Sequence, residues 1–111
     1  MPNTILQEIE KERERQIEIW GVQDFPVLTP QYYNSESFYM TDHYDLPTEH
    51  FAKHILEHRL NNDTLTYMDI FVEELCEAVS TQSDSAALRK ELVQCAAVVV
   101  AMIEAIDRNG Q

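Results

Sequence analysis

Hydrophobic residues recur with helical spacing over four stretches of the chain, and polar clusters carrying cap residues separate those stretches. Ile5, Ile9, Ile17 and Trp20 mark a stripe on a first helix from about Asn3 to Trp20. It stops at Gly21, a residue without the Cβ that disfavours the left-handed turn after a helix. A second helix starts with Thr48 as N-cap and Glu49 behind it, and frays at Asn61-Asn62. The third runs from Leu65 or Thr66 to Ser80, and the fourth from the Ser83-Asp84-Ser85 cap cluster to Asn109-Gly110. Between the first two lies a stretch from Val22 to Pro47, broken by Pro26, Pro30 and Pro47 and without clean periodicity. It is expected to be a long irregular loop, functional or ordered by a partner, with Tyr32, Tyr33, Phe38, Tyr39 and Tyr44 to pack it.

The pattern predicts one all-α domain over 1–111. Its four main helices form an antiparallel bundle that oligomerisation completes. The reason for the last clause lies in the fourth helix. Arg89, Lys90, Glu104, Asp107 and Arg108 gather on one side, and Leu88, Cys95, Val98, Met102 and Ile106 oppose them. From Cys95 to Ile103, however, the helix is apolar all round. One neighbouring helix cannot cover that surface, and a chain of 111 residues has few others to offer. A homodimer or homotetramer is the expectation.

Composition agrees with a helical domain. Hydrophobic residues make up 44%, which excludes a disordered composition, and all four Pro fall before residue 48. The net charge of −12 sets the class of partner, because such a surface repels nucleic-acid backbones and anionic lipid. No nucleic-acid polymer and no membrane is therefore expected as a partner, unless a divalent cation mediates between carboxylates and phosphate. The longest apolar run is far shorter than the roughly 20 residues of a membrane span, and the opening residues lack a signal peptide's apolar core. Cys76 and Cys95 have no metal or redox spacing and are expected as reduced, buried thiols of a cytoplasmic protein.

Against this background Glu91 is out of place. It falls in the middle of the apolar arc of the fourth helix, beside Cys95, Val98 and Met102, with Gln94 at the edge of the same arc. A carboxylate facing a core is costly unless it is paired or bound to metal. On the third helix Glu73, Glu74 and Glu77 fall on one side, and Met68, Phe71, Leu75 and Val79 on the packing side. If the two helices run antiparallel, Glu74 and Glu77 face Glu91 and Gln94 across them. Inward-projecting acids from two helices suit a hard cation such as Mg²⁺ or Mn²⁺. An E-E-x-x-E run alone is more often a solvated face, and only the misplaced Glu91 argues otherwise. His50, His54 and His58 form an i, i+4, i+8 ladder that reads as an ordinary polar flank, since no acid or cysteine completes a tetrahedral set.

Glu73-Glu74-Leu75-Cys76-Glu77 followed by Glu91-Leu92-Val93-Gln94 resembles the two-part signature of the MazG-type nucleoside triphosphate pyrophosphohydrolases, E-E-x-x-E and then E-x-x-D. Glu12-Arg13-Glu14-Arg15-Gln16, Trp20-Gly21 and Gln23 are similar to the first helix of its small members. The resemblance spans nearly the whole chain, least well over Val22–Pro47. It implies an all-α oligomer that uses Mg²⁺ to cleave nucleoside triphosphates into a monophosphate and pyrophosphate. It further implies Glu74, Glu77 and Glu91 as metal ligands, with Gln94 where the family has aspartate. A carboxamide oxygen can ligate Mg²⁺ but brings neither charge nor a base. Glu73 is then the candidate catalytic base, and Arg13 and Lys90 are candidate phosphate contacts. Trp20 is a candidate for stacking on a base, and Gln16 or Gln23 for reading its edge. Two other outcomes remain open: a module that binds nucleotide without cleaving it, and a structural oligomer in which Arg13 pairs with Glu91.

Overall fold

The computed structural model describes residues 3–30, 39–81 and 84–110. Among these the chain is helical, with no strand: α1 (Asn3–Trp20), α2 (Met40–His43), α3 (Glu49–Asn61), α4 (Tyr67–Ser80) and α5 (Ser85–Asn109). The four long helices stand where the hydrophobic pattern puts them, because the cap residues act as predicted. The Thr48 hydroxyl accepts the N–H of Phe51 at the start of α3, and the Asp84 carboxylate accepts that of Ala87 at the start of α5. Gly21 (φ 72°) and Gly110 (φ 71°) close α1 and α5 in the left-handed conformation, their N–H groups returning to Ile17 and Ile106.

At the start of α4 the capping is reciprocal. The Thr66 hydroxyl accepts the N–H of Asp69, while the Asp69 carboxylate accepts the N–H and hydroxyl of Thr66. The other oxygen of Asp69 pairs with Arg59 in the last turn of α3. One side chain thus fastens the end of one helix to the start of the next.

The core lies where α4 meets α5, with α2 and α3 against α4. Ala78, Val79, Leu88 and Cys95 are buried there with Leu28 and Met40, and Phe71, Leu75 and Leu46 pack around them. Cys76 is fully buried, and both cysteines are free thiols. Along the pair, Glu77 reaches Glu91, whereas Met68 shares a groove with Met102 and Ile106.

Several expectations need correction. The stretch 22–47 is not irregular throughout, since it contains α2, and Leu28 and Met40 from it enter the core. Among its described residues the buried hydrophobic anchors are Leu28 and Met40, while Tyr39 is exposed and Tyr44 contributes a hydroxyl that accepts the N–H of Thr29 at 2.8 Å. Tyr32, Tyr33 and Phe38 lie outside the described residues. Met68 and Ile106, expected to pack, are exposed, because each sits at the open end of the α4–α5 pair. Among the described residues no helix is long and apolar enough to cross a membrane.

α1 is the least integrated element. Ile5 is buried, but Ile9, Ile17, Ile19 and Trp20 remain exposed, as do Val22, Phe25 and Val27 beyond it. Between α1 and α5 runs an apolar groove of about 790 Å³ lined by Leu6, Ile9, Val93, Ala96, Val99 and Val100. The radius of gyration is 16.2 Å. A compact domain of about 100 residues has roughly 13 Å.

Two measurements follow from this architecture. Thr66→Ala removes half of the reciprocal cap and should cost about 1 kcal/mol, a melting-temperature loss of about 5 °C. An unchanged melting curve would show that Asp69 holds the helix start without it. Light scattering at micromolar concentration should give a multiple of the chain mass, and Val99→Glu should return it to one chain. Val99 is 37% exposed in the single chain, so a charge there is tolerated unless another chain covers it. A wild type that scatters as a monomer refutes this.

Candidate metal centre

α4 carries its acids at positions that a helix brings to one side. Glu73 and Glu77 are one turn apart, and Glu74 lies three residues before Glu77. The structure brings Glu73, Glu74 and Glu77 together, each offering a carboxylate oxygen within 4.8 Å of the others. Glu73 is buried, and Glu74 and Glu77 are half-buried. Oxygens that share one Mg²⁺ at 2.0–2.1 Å stand at most about 4.2 Å apart, so a small side-chain rotation suffices to bring these to a common ion.

α5 supplies the opposite wall. Glu91 hydrogen-bonds Glu77, and Gln94 lies against Glu91 and Glu74. Glu91 is half-buried at the rim of the α4–α5 core rather than pointing into it, which corrects the reading of its place on the helical wheel. Its anomaly on the wheel nevertheless has a cause. The arc it interrupts faces α4, and the acids of α4 are what it meets.

So many acids in one place must share protons. Hydrogen bonding to Glu73 and burial push the Glu77 carboxyl up to about 7, and the charges of Glu73 and Glu49 add to the shift. A hydrogen bond with Glu91 opposes it. Burial raises Glu91 as well, followed by the charge of Glu77, while Lys90 draws it down. Burial raises Glu74, reinforced by Glu77 and Glu91. Even the Cys95 thiol is raised by burial and then by Glu74, Glu91 and Glu77. Divalent cations relieve this kind of repulsion.

The predicted substrate side is not assembled in the single chain. Arg13 donates to Gln16 Oε1 at 2.6 Å, and both line a shallow groove beside Ile103. Ile103 lies twelve residues beyond Glu91 on α5, about 18 Å along the helix. Arg13 therefore does not pair with Glu91 within a chain. Trp20 is 64% exposed at the end of α1, so it is neither core packing nor beside the acids here, and Gln23 is exposed just after it. Lys90 alone of the predicted phosphate contacts adjoins the site.

Sequence reasoning passed over Glu49. It opens α3, and its charge reaches Glu77, which makes α3 a third contributor of negative charge. The N-cap Thr48 was the available signal, since it fixes where Glu49 sits. The histidine ladder of α3 forms no metal set with other side chains among the described residues. His54 stacks on Phe51, and His58 meets Asn62.

The raised carboxyls set the sign of a pH dependence. Below the ordinary value of 4.5, Glu77 is protonated folded or unfolded, so stability there does not vary with its titration. As pH rises from there to about 7, the unfolded chain ionises first, and folding loses stability. Metal-free protein should melt at a lower temperature at pH 8 than at pH 5.5, and Glu77→Gln should flatten the slope and raise the pH 8 value by about 5 °C. A slope that Glu77→Gln leaves intact would assign the effect to overall charge instead.

No family model, curated protein or solved structure matches the chain. Its function is therefore read from geometry and from the order of its acids.

Proposed function

We propose that the chain is an Mg²⁺-dependent nucleoside triphosphate pyrophosphohydrolase, acting as an antiparallel helical bundle completed by a second copy. The observation that supports it is the convergence of Glu73, Glu74 and Glu77 from α4 with Glu91 from α5. The resemblance to the MazG-type signature rests on those same residues.

Glu74, Glu77 and Glu91 would hold the cation, Mg²⁺ or Mn²⁺, whose charge would offset both the burial that raises Glu74 and Glu91 and the mutual repulsion of the three acids. Bound there, Mg²⁺ would neutralise phosphate charge and lower the pKa of a water. In the overall reaction water adds to the α-phosphorus and pyrophosphate leaves. Glu73, buried and hydrogen-bonded to Glu77, would take the proton from that water or steady the Glu77 carboxylate. Lys90, next to Glu91 at the rim, would meet a phosphate oxygen.

Arg13, Gln16, Trp20 and Gln23 enter this reading only through a second chain, since α1 of the same chain keeps Arg13 and Gln16 beside Ile103. The uncovered α1–α5 groove and the extended radius of gyration favour such an assembly. A second reading is a site that binds nucleotide and does not turn it over. It draws on Gln94, which brings no charge where an aspartate would strengthen the hold on metal.

Pyrophosphate release from common (d)NTPs should require Mg²⁺, and Glu91→Gln should lower it by at least about 100-fold while abolishing the Mg²⁺-dependent rise in melting temperature. The metal-free melting temperature of Glu91→Gln should stay level or rise, because the neutral isostere relieves repulsion from Glu77. Nucleotide stabilisation without release favours the binding module. Neither effect, with a Glu91→Gln variant that melts early and keeps its Mg²⁺ response, ends the metal reading.

A further inference from the structure

Gln94 lies on α5 one turn after Glu91 and reaches across to α4, and its amide faces one carboxylate oxygen on each helix. A carboxamide has two N–H donors on one end and an acceptor oxygen on the other. Glu91 Oε2 and Glu74 Oε2 are both acceptors when ionised, so we assign the amide with its nitrogen towards them, an orientation that gives a hydrogen bond of 3.1 Å to each. Both N–H groups are then used, one per helix. With both acids ionised, the reverse orientation would set three acceptors against one another with no hydrogen between them.

We infer that Gln94 is a positioning residue, whose amide clamps the Glu74 and Glu91 carboxylates in one arrangement before a cation arrives, and that it is not itself a cation ligand. This deepens the metal-centre reading and rests on it. Hydrogen bonds to charged acceptors are the strong ones, and each of these takes only one oxygen of its carboxylate, Oε2 of Glu91 and Oε2 of Glu74. An acid at position 94 cannot do the same, because an ionised carboxylate has no hydrogen to donate. With aspartate the two helices would present mutually repelling acids that only the cation draws together. With Gln94 the acids are already gathered, at the expense of one negative charge towards the metal.

The test uses the full chain with its metal removed by EDTA, two variants, and the side-chain amide signals of ¹⁵N-labelled wild type. Gln94→Leu should lower the metal-free melting temperature by about 5 °C, and Gln94→Asp by more, since the acid adds repulsion as well as removing the donors. Calorimetric Mg²⁺ affinity of Gln94→Leu should fall by about tenfold, the range for losing a residue that orients ligands. The Gln94 NH₂ protons, assigned in ¹³C,¹⁵N-labelled wild type by correlation to their own side chain and backbone, should exchange slowly without metal and stay protected when Mg²⁺ is added. The inference is overturned if Gln94→Leu leaves the metal-free melting temperature unchanged or raises it while Mg²⁺ affinity falls. It is overturned equally if Mg²⁺ releases the NH₂ protons to solvent, as coordination through the carbonyl oxygen would require. Should a variant not fold, the wild-type amide signals decide alone. A wild type that takes up no Mg²⁺ removes the metal centre itself. The amide signals and the order of metal-free melting temperatures then still decide whether Gln94 bridges the two acids.

Discussion

The constraint on which this molecule turns is the packing of α4 on α5. Ala78, Val79, Leu88 and Cys95 hold the two helices together. The same closeness forces Glu74 and Glu77 onto Glu91. Apolar burial worth about 25 cal/mol per Å² drives the pair together, and carboxylate repulsion at the rim works against it. Shared protons moderate that repulsion in the single chain. Charge and stability are therefore coupled at this rim. Whatever neutralises the acids also tightens the helix pair that carries them.

Most of the helical frame was legible in the sequence because its boundaries are chemical. Thr48, Thr66, Asp84, Gly21 and Gly110 each satisfy or terminate backbone hydrogen bonds in a way their neighbours cannot. The acids of α4 and α5 were legible for a different reason, since Glu91 violates the periodicity of its own helix. What escaped the sequence depends on contacts between distant segments. α2 is four residues long, too short for periodicity to register, and it exists because Met40 is buried beside Leu28 and α4. Glu49 begins a helix with an unremarkable polar face, and only the packing of α3 on α4 brings its charge to Glu77. Met68 and Ile106 fall on apolar arcs, but periodicity does not say where a helix pair ends.

α1 marks the boundary between what one chain can satisfy and what it leaves open. Its predicted stripe is real as a pattern, yet only Ile5 is buried, and Trp20 stands exposed. Arg13 and Arg15 donate to Gln16 and Glu12 of the same helix, while Ile9, Ile17 and Trp20 stay exposed. Such an element contributes little to the fold of its own chain.

Asp69 has a consequence for the geometry of the acids that follow it. Asp69, Glu73 and Glu77 are spaced i, i+4, i+8, so they form one line along α4. The first of them is neutralised by Arg59 and held low by its hydrogen bonds from Thr66. Turning α4 about its axis by one residue, about 100°, would carry Asp69 away from Arg59 and the acids away from α5 together. The ion pair at one end of α4 thus acts as an azimuthal pin for the other. The direction in which Glu73 and Glu77 point is fixed two turns upstream, by a contact with a helix that bears neither of them.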